Sequence, residues 1–321
     1  MSKSNILDSK SIAAKNRKQK HKQARIAWQL YLFLLIPVIY TIVFNYYPML
    51  GLQIAFKDFK PALGIWGSEW AGFKHFVAFF NSYQFTRVVG NTLYLSFYSL
   101  IASFPMPIIF ALLLNTVLHS KYKSFIQTIT YIPHFISTVV LVGMMLQMFN
   151  PYLGIYGKLY KLFNDVAQAP DIIGKASTFP HMYVWSAIWQ STGFSTIIYV
   201  AALSAINPEL HEAAEIDGAS RFKRVIHIDF PVVIPTATIM LILNAGRIMS
   251  IGFEKVYLMQ NDLNLRSSEV ISTYVYKVGL AAGGGDFGYA TAIGLFNSVI
   301  NLIMIIAVNK AANKLSSSSL W

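Results

Sequence analysis

Six stretches of the sequence are long and apolar enough to cross a lipid bilayer as helices. A membrane-spanning helix needs about 20 predominantly apolar residues. None of the six stretches contains an aspartate or a glutamate, and Arg247 is the only lysine or arginine in them. They lie near Trp28–Tyr47, Asn91–Leu118, Phe125–Phe149, Met182–Ile206, Val232–Phe253 and Tyr289–Val308. The pattern predicts an all-α integral membrane protein with six transmembrane helices.

The composition excludes several other classes of protein. Charged residues make up 12% of the 321 residues and hydrophobic residues 55%, whereas a soluble domain carries about 25% charged residues. A soluble enzyme, a disordered chain and a nucleic-acid-binding domain are therefore excluded as the main interpretation. The absence of cysteine also excludes disulfides, thiolate metal sites and a cysteine nucleophile.

The distribution of lysine and arginine predicts the orientation in the membrane. With six spans both termini lie on one side, and that side carries fifteen of these residues against ten on the other. Because cytoplasmic segments are enriched in lysine and arginine, we expect both termini in the cytoplasm. Eight of the fifteen lie in residues 1–25, a basic cytoplasmic tail. Since it adjoins the first span, we expect it to contact anionic membrane lipid and not nucleic acid.

The cytoplasmic segment between the fourth and fifth predicted spans has the signals of two short helices. Asn207 is a good N-cap and Pro208 suits the first helical position, which predicts a helix of about ten residues that Gly218 ends. Ser220 can cap a second helix, and Pro231 is expected to end it before the fifth span.

The alternative is an ordinary linker between spans. Such a linker needs neither the small-residue face of Ala213 and Ala214 nor an acidic helix followed by a basic one, so the segment predicts a projection that enters a groove on a partner.

The same segment resembles a known motif. The run Glu212-Ala-Ala-Glu-Ile-Asp217-Gly218-Ala, followed by Ile228 and Pro231, resembles the EAA loop of type I, maltose-type ABC importer permeases. Asn91-Thr92-Leu93, Trp70-x-Gly72 and the runs 252–261 and 269–276 resemble the subfamily that imports complex oligosaccharides and polysaccharide fragments, such as pieces of alginate or rhamnogalacturonan. The resemblance covers residues 26–321, which it identifies as a permease domain.

The resemblance implies how the loop works. In that family the loop helix docks into a cleft of a separate cytoplasmic ATPase, which binds ATP and magnesium, so this chain is a transport subunit and not an enzyme. The residues expected to couple the chain to the ATPase are Glu212, Ala213, Ala214, Asp217 and Gly218. The two alanines allow close approach, the two acids can pair with basic groups, and the glycine sets the bend. No catalytic residue, metal ion or cofactor is expected on this chain.

The resemblance also implies partners and a location. Six spans make half of a translocation path, so we expect a second, homologous permease chain in a heterodimer, together with an ATPase dimer. An extracellular solute-binding protein is expected to meet the outer segments 150–180 and 254–288. The expected location is a bacterial cytoplasmic membrane, which the chain crosses several times.

Polar and aromatic residues within the spans are candidates for the substrate path. Aromatic faces pack on the C–H surfaces of sugars, and amide or guanidinium groups bond hydroxyls or carboxylates. The candidates are Gln190, Gly193, Phe194 and Tyr199, with the neighbouring Trp189, in the fourth span, and Asn244, Arg247 and Ser250 in the fifth. The alternative is that such residues hold helices together.

Other functions remain open at this point. The chain could be a permease for another small polar solute. An integral-membrane sugar transferase would need acidic or histidine clusters at the membrane face, and an ion-coupled transporter would need carboxylates at the midplane. No acid lies in any predicted span. His211-Glu212-Ala-Ala-Glu215 lacks the second histidine of a zinc-protease helix, so no metal site is expected there.

Overall fold

The computed structural model describes residues 28–164, 168–246, 249–281 and 285–315. Two short strands, Lys57–Asp58 and Glu69–Trp70, pair antiparallel. The α-helices are Trp28–Thr41, Gly64–Gly67, Lys74–Phe80, Tyr83–Ser103, Pro105–Asn115, Ser120–Tyr131, Thr138–Met148, Ile155–Phe163, Phe179–Ser195, Ile197–Leu203, Pro208–Ile216, Arg221–Arg224, Phe230–Ala245, Phe253–Met259, Leu265–Ser268, Ile271–Tyr276 and Phe287–Leu315. The 3-10 helices are Tyr47–Phe56 and Ile132–Phe135. The π-helical turns are Ile42–Tyr46, Val225–Asp229 and Lys277–Ala281.

Four continuous helices in the described ranges are long and apolar enough to cross a membrane, which supports an integral membrane fold. They match the predicted first, second, fifth and sixth spans and run over Leu30–Phe56, Tyr83–Asn115, Arg221–Ala245 and Phe287–Ala311. A fifth is obtained if Ser120–Phe135 and Thr138–Met148, which meet at 96°, form one span. This pair covers the predicted third span.

The stretch predicted as the fourth span contains two shorter helices, Phe179–Ser195 and Ile197–Leu203, which are not among these candidate spans. They meet at Thr196, whose hydroxyl donates to the carbonyl of Thr192 at 2.7 Å. The bend in the predicted third span has a local cause, since Pro133 lies in the turn and Ser137 caps a new helix by accepting from the Val140 N–H.

The predicted start of the second span and the predicted end of the helix after Ser220 are wrong. Ser82 caps the second span, so its helix begins at Tyr83 instead of Asn91. Pro231 does not end the helix after Ser220, because it falls in the first turn that follows the π turn Val225–Asp229, where its missing N–H is accommodated.

The helix of the predicted fifth span also ends earlier than expected, at Ala245 instead of Phe253. A Cβ on the following Gly246 would lie 2.7 Å from the side chain of Ile305, so the end of this helix packs closely on the last helix. From that helix the Asn301 amide accepts from the Met249 N–H and donates to the Ser250 hydroxyl. These contacts hold Met249 and Ser250 against the last helix.

Asn91 and Thr92, two residues of a predicted motif, join the second span to the segment 264–271. The Asn91 amide donates to the carbonyls of Arg266 and Glu269 at 2.9 and 3.0 Å. The Thr92 hydroxyl accepts from the Ile271 N–H at 2.9 Å. The motif therefore has a structural role, since it satisfies backbone groups at the start of a helix.

A buried cluster lies at the base of the segment that resembles an EAA loop. It contains Ile108, Ala111, Tyr199, Leu203 and Val233, from the second, fourth and fifth predicted spans. Close packing of this kind resists independent movement of its members. The cluster therefore fixes the position from which the loop projects.

Candidate coupling site and transport cavity

We define the coupling loop as residues 207–220. Its first helix forms where the sequence predicts it. It runs over Pro208–Ile216, and the Asn207 side chain accepts from the Glu209 N–H at 3.1 Å. The Asn207 amide also donates to the Glu209 carboxylate at 3.0 Å. The cap and an acidic first turn both stabilise a helix N-terminus.

Gly218 closes that helix in a left-handed conformation with φ of +73°. Its N–H donates to the Glu215 carbonyl, and the Ala219 N–H donates to the Ala214 carbonyl at 2.9 Å. These two bonds form a Schellman motif, which favours glycine at this position. Ser220 then caps the next helix by accepting from the Lys223 N–H at 3.4 Å, as predicted.

The loop presents acidic and apolar groups together at its surface. Of the five predicted coupling residues, Glu212, Ala213, Asp217 and Gly218 are exposed and Ala214 is half-buried. Ile216 is 87% exposed and Phe222, just beyond the loop, is 73% exposed. Exposed apolar side chains beside charged ones are typical of a surface that a partner covers.

His211 and Asp229 anchor the loop to the helix that follows. The His211 Nε2 lies 3.1 Å from the Asp229 carboxylate, and the Asp229 side chain is 3% exposed. An ion pair, Arg224 with Glu215 at 3.0 Å, lies nearer the surface, and the Glu215 side chain is 69% exposed. Because exposed ion pairs contribute little to stability, the contact of His211 with the buried Asp229 contributes more to the position of the loop.

A cavity of about 340 Å³ lies among the second, fourth and fifth predicted spans. Three predicted path residues line it, Tyr199, Asn244 and Ser250. The other polar lining residues, which the prediction missed, are Ser96, Ser99, Ser103, Tyr183, Ser191 and Ser195. Its size is at the lower end of small-molecule cavities, and hydroxyl groups dominate its polar wall.

The remaining fourth-span candidates do not line this cavity and have other partners. The Gln190 amide donates to the Ile136 carbonyl at 2.8 Å. Phe194 stacks on His134 with ring centroids 4.0 Å apart. A Cβ on Gly193 would collide with the Thr130 carbonyl, so this glycine permits two helices to approach. Trp189 lies in a separate apolar groove with Leu141, Met144, Met145, Met148, Phe149, Met182, Trp185 and Ser186.

Arg247 lies outside the described residues. Its predicted contact with substrate stays a prediction from the sequence. The serines of the second span could have been found by their spacing, because Ser96, Ser99 and Ser103 fall on one helical face.

The sequence from residue 103 to 316 matches the family model described as "Binding-protein-dependent transport system inner membrane component". The chain belongs to this family. It is a membrane transport component and not an enzyme. The matched residues include the coupling loop and the described cavity walls of the fourth and fifth spans, but not Ser96 or Ser99.

Two relatives in Bacillus subtilis (strain 168) are similar to the permease over nearly their whole length. One, Protein LplB, is 41% identical over 91% of this chain and 91% of its own. The other is the polygalacturonan/rhamnogalacturonan transport system permease protein YteP, 38% identical over 97% of this chain and 96% of its own. The similarity extends to residues that the family model does not match.

The permease also resembles a chain of a solved structure. That structure is a bacterial ABC transporter involved in the import of the acidic polysaccharide alginate, and the match has a TM-score of 0.83 at 36% identity. It covers 93% of this chain and 99% of the other. A second structure of a bacterial alginate ABC transporter, in complex with an alginate pentasaccharide-bound periplasmic protein, matches with a TM-score of 0.84.

Proposed function

We propose that the chain is a permease subunit of an ATP-driven importer for oligosaccharides or polysaccharide fragments. It forms half of the translocation path and couples to a separate ATPase through the coupling loop. The observation that carries this proposal is the exposed helix Pro208–Ile216, which is capped at both ends and held at its base by the His211–Asp229 pair. Such a helix presents a rigid, exposed surface on which a partner can dock.

The charges of the loop support an ATPase as its partner. Glu212 and Asp217 are exposed and can pair with basic groups, while Ala213 and Ala214 allow a partner to approach closely. Ile216 adds an apolar contact at the tip. In this proposal ATP and magnesium bind the ATPase, and closure of its dimer is transmitted through the loop.

The first long helix supports a second permease chain. In the most apolar window of Leu30–Phe56 no residue is buried within this chain. Its apolar surface is available to lipid and to a homologous subunit, with which this chain forms a heterodimer. An extracellular solute-binding protein completes the assembly by docking on the outer segments 150–180 and 254–288.

The cavity and the relatives support an oligosaccharide as substrate. The polar wall carries hydroxyl and amide groups that bond sugar hydroxyls, and Tyr199 offers an aromatic ring. YteP is a permease of a polygalacturonan/rhamnogalacturonan transport system, and the solved transporter is involved in the import of the acidic polysaccharide alginate. An oligosaccharide is favoured over another small polar solute for this reason.

The proposed topology has six spans with both termini in the cytoplasm of a bacterium. In this topology the two helices Phe179–Ser195 and Ile197–Leu203 together form the fourth span, and the coupling loop lies at the cytoplasmic face. A reporter fused after Trp321 should then be cytoplasmic, and one inserted near Asp165 should be extracellular.

The test is to co-express the chain with the proposed partners, which are a second permease, an ATPase and a solute-binding protein. The purified complex is then reconstituted in vesicles. ATP-dependent uptake is measured with polygalacturonan, rhamnogalacturonan and alginate oligosaccharides, with monosaccharides as the comparison. Uptake of an oligosaccharide is the expected result. A complex that assembles but imports only monosaccharides would overturn the substrate class, and a chain that purifies without an ATPase would overturn the coupling role.

A further inference from the structure

Three serines of the second predicted span lie on the wall of the transport cavity. Ser96, Ser99 and Ser103 are separated by three and four residues, so they share one face of a helix. All three line the cavity of about 340 Å³. They share this cavity with the predicted path residues Asn244 and Ser250.

The hydroxyl of Ser96 is buried and has no hydrogen-bond partner in the described residues. The residue is 6% exposed. A serine or threonine hydroxyl in a helix commonly donates to the carbonyl four residues earlier, as Ser191 does to Ala187 at 2.7 Å and Thr92 to Val88 at 2.6 Å. A buried polar group without a partner is costly, and because Ser96 lines the cavity, a solute that enters the cavity can supply the missing partner.

The helix offers a further acceptor on the same wall. Pro107 has no N–H to donate to the carbonyl of Ser103, four residues before it. The wall therefore combines hydroxyl groups, which donate and accept, with a carbonyl that lacks its usual helical donor. Such a mixture suits a solute that carries many hydroxyl groups.

We propose that Ser96, Ser99 and Ser103 form a sugar-hydroxyl subsite, through which the second span contacts the transported oligosaccharide. The inference rests on the proposed function and adds to it a third substrate-contacting wall. The Ser96 hydroxyl is the central group, because its hydrogen bond is made only when a solute or water occupies the cavity.

A labelling experiment tests the contact directly in the assembled importer. The chain has no cysteine, so Ser96→Cys introduces one thiol whose labelling can be followed on this chain. Ser186→Cys is the matched control, because its hydroxyl bonds its own helix at the Met182 carbonyl and it does not line the cavity. A water-soluble thiol reagent is applied with and without alginate or rhamnogalacturonan oligosaccharide and its loaded binding protein.

The expected result is that the imported oligosaccharide slows labelling of Ser96→Cys at least about threefold and leaves Ser186→Cys unchanged. In uptake assays Ser96→Ala should raise the substrate concentration for half-maximal rate by about threefold to tenfold, as expected for one lost hydrogen bond. Ser96→Thr, which keeps a hydroxyl, should recover part of this change.

Two outcomes overturn the subsite and differ in what they say of the proposed function. Equal labelling of Ser96→Cys with and without an oligosaccharide that the complex imports would overturn the subsite and leave the proposed function in place. A wild-type complex that imports no oligosaccharide would overturn the proposed function and, with it, the subsite. Co-purification of the ATPase with each variant shows that the importer is assembled.

Discussion

The coupling loop and the transport cavity differ in what holds them in shape. The loop is fixed by bonds between near neighbours, such as Asn207 with Glu209 and Gly218 with Glu215. The cavity is walled by residues that are distant in the sequence, such as Ser96, Ser191 and Asn244. The loop can therefore move as a rigid unit, whereas the shape of the cavity depends on how the spans are rotated against one another.

One residue belongs both to the cavity wall and to the buried cluster at the base of the loop. Tyr199 lines the cavity and is also packed in the buried cluster with Leu203 and Val233, at the base of the loop. Because packed clusters move as a whole, we expect a displacement of the loop to change the cavity wall at Tyr199. Substitutions in the loop and in the cavity should then affect uptake in different ways.

The largest expected effect is that of Gly218→Pro, which should abolish uptake. Proline holds φ near −65° and has no N–H, whereas Gly218 has φ of +73° and donates to Glu215. The end of the coupling helix cannot form, while the spans are unchanged. Uptake and membrane insertion are measured in parallel.

Two milder variants at the same position are the controls. Gly218→Asn should retain more uptake than Gly218→Ala, because asparagine tolerates a positive φ better than alanine.

Asp217→Lys, which reverses a charge that we expect to face the ATPase, should also abolish uptake without loss of insertion. Wild-type uptake by both Gly218→Pro and Asp217→Lys would remove the loop from the mechanism.

The sequence is sufficient to predict the loop because its signals are local. Asn207, Pro208, Gly218 and Ser220 each favour one backbone conformation, and all four occupy the predicted positions. The long apolar helices are predictable for a similar reason, since length and composition define them. The end of the fifth span was less predictable, because Gly246 acts through a close contact with Ile305 of a distant helix. The start of the second span was missed although Ser82 is a local cap signal.

The cavity was only partly predictable because polar residues within spans have two roles. Asn244 and Gln190 are both amides in predicted spans, yet one lines the cavity and the other donates to the Ile136 carbonyl. Likewise, nothing in the sequence distinguishes Ser96, whose hydroxyl is unpartnered in the described residues, from Ser191, whose hydroxyl bonds its own helix. The rotation of each helix about its axis decides whether a polar side chain faces the cavity or a neighbouring helix. This rotation depends on contacts between segments that are distant in the sequence.

The second prediction concerns the base of the loop. Asp229→Leu should lower uptake about tenfold, because it leaves His211 without its buried partner and loosens the loop from the following helix. ATP hydrolysis should continue, so the ratio of uptake to hydrolysis is the quantity to measure. Arg224→Gln removes the more exposed pair with Glu215 and should change that ratio by less than about twofold. Equal effects of the two substitutions would show that burial of the pair is unimportant.

The third prediction separates the two roles of amides in the spans. Asn244→Leu should lower uptake about threefold to tenfold without a change in the unfolding midpoint, because Asn244 is exposed in the cavity. Gln190→Leu should lower the free energy of unfolding by about 1 kcal/mol, since the Ile136 carbonyl loses its donor. The substrate concentration for half-maximal uptake should stay unchanged in Gln190→Leu. A shift of that substrate concentration in Gln190→Leu would contradict this prediction and assign Gln190 to the substrate path.

The smallest expected effect on uptake is at Lys255, which contacts Tyr183 of the cavity wall. The residue is 7% exposed, its ammonium donates to the carbonyl of Tyr183 at 3.1 Å, and burial lowers the pKa of Lys255 from 10.5 to about 8. Between pH 8 and 10.5 the unfolded chain binds a proton at Lys255 that the folded chain does not. Stability should therefore rise with pH in this window, by at most about 1.4 kcal/mol per pH unit, and reach its full value near the pKa of the unfolded chain.

Lys255→Met should remove this rise, because no titrating group remains at the position. Uptake at neutral pH should change by less than about twofold, since the ammonium bonds a backbone carbonyl and does not line the cavity. The unfolding midpoint of the purified complex from pH 8 to 9.5 is the measurement, and Lys175→Met, at an exposed position, is the control that should keep the wild-type slope. A rise that persists in Lys255→Met would assign the pH dependence to another group. A flat profile in the wild-type complex would show that Lys255 keeps its proton on folding, in which case the carbonyl of Tyr183 and the face of its ring, 5.1 Å from the ammonium, stabilise the charge more than burial destabilises it.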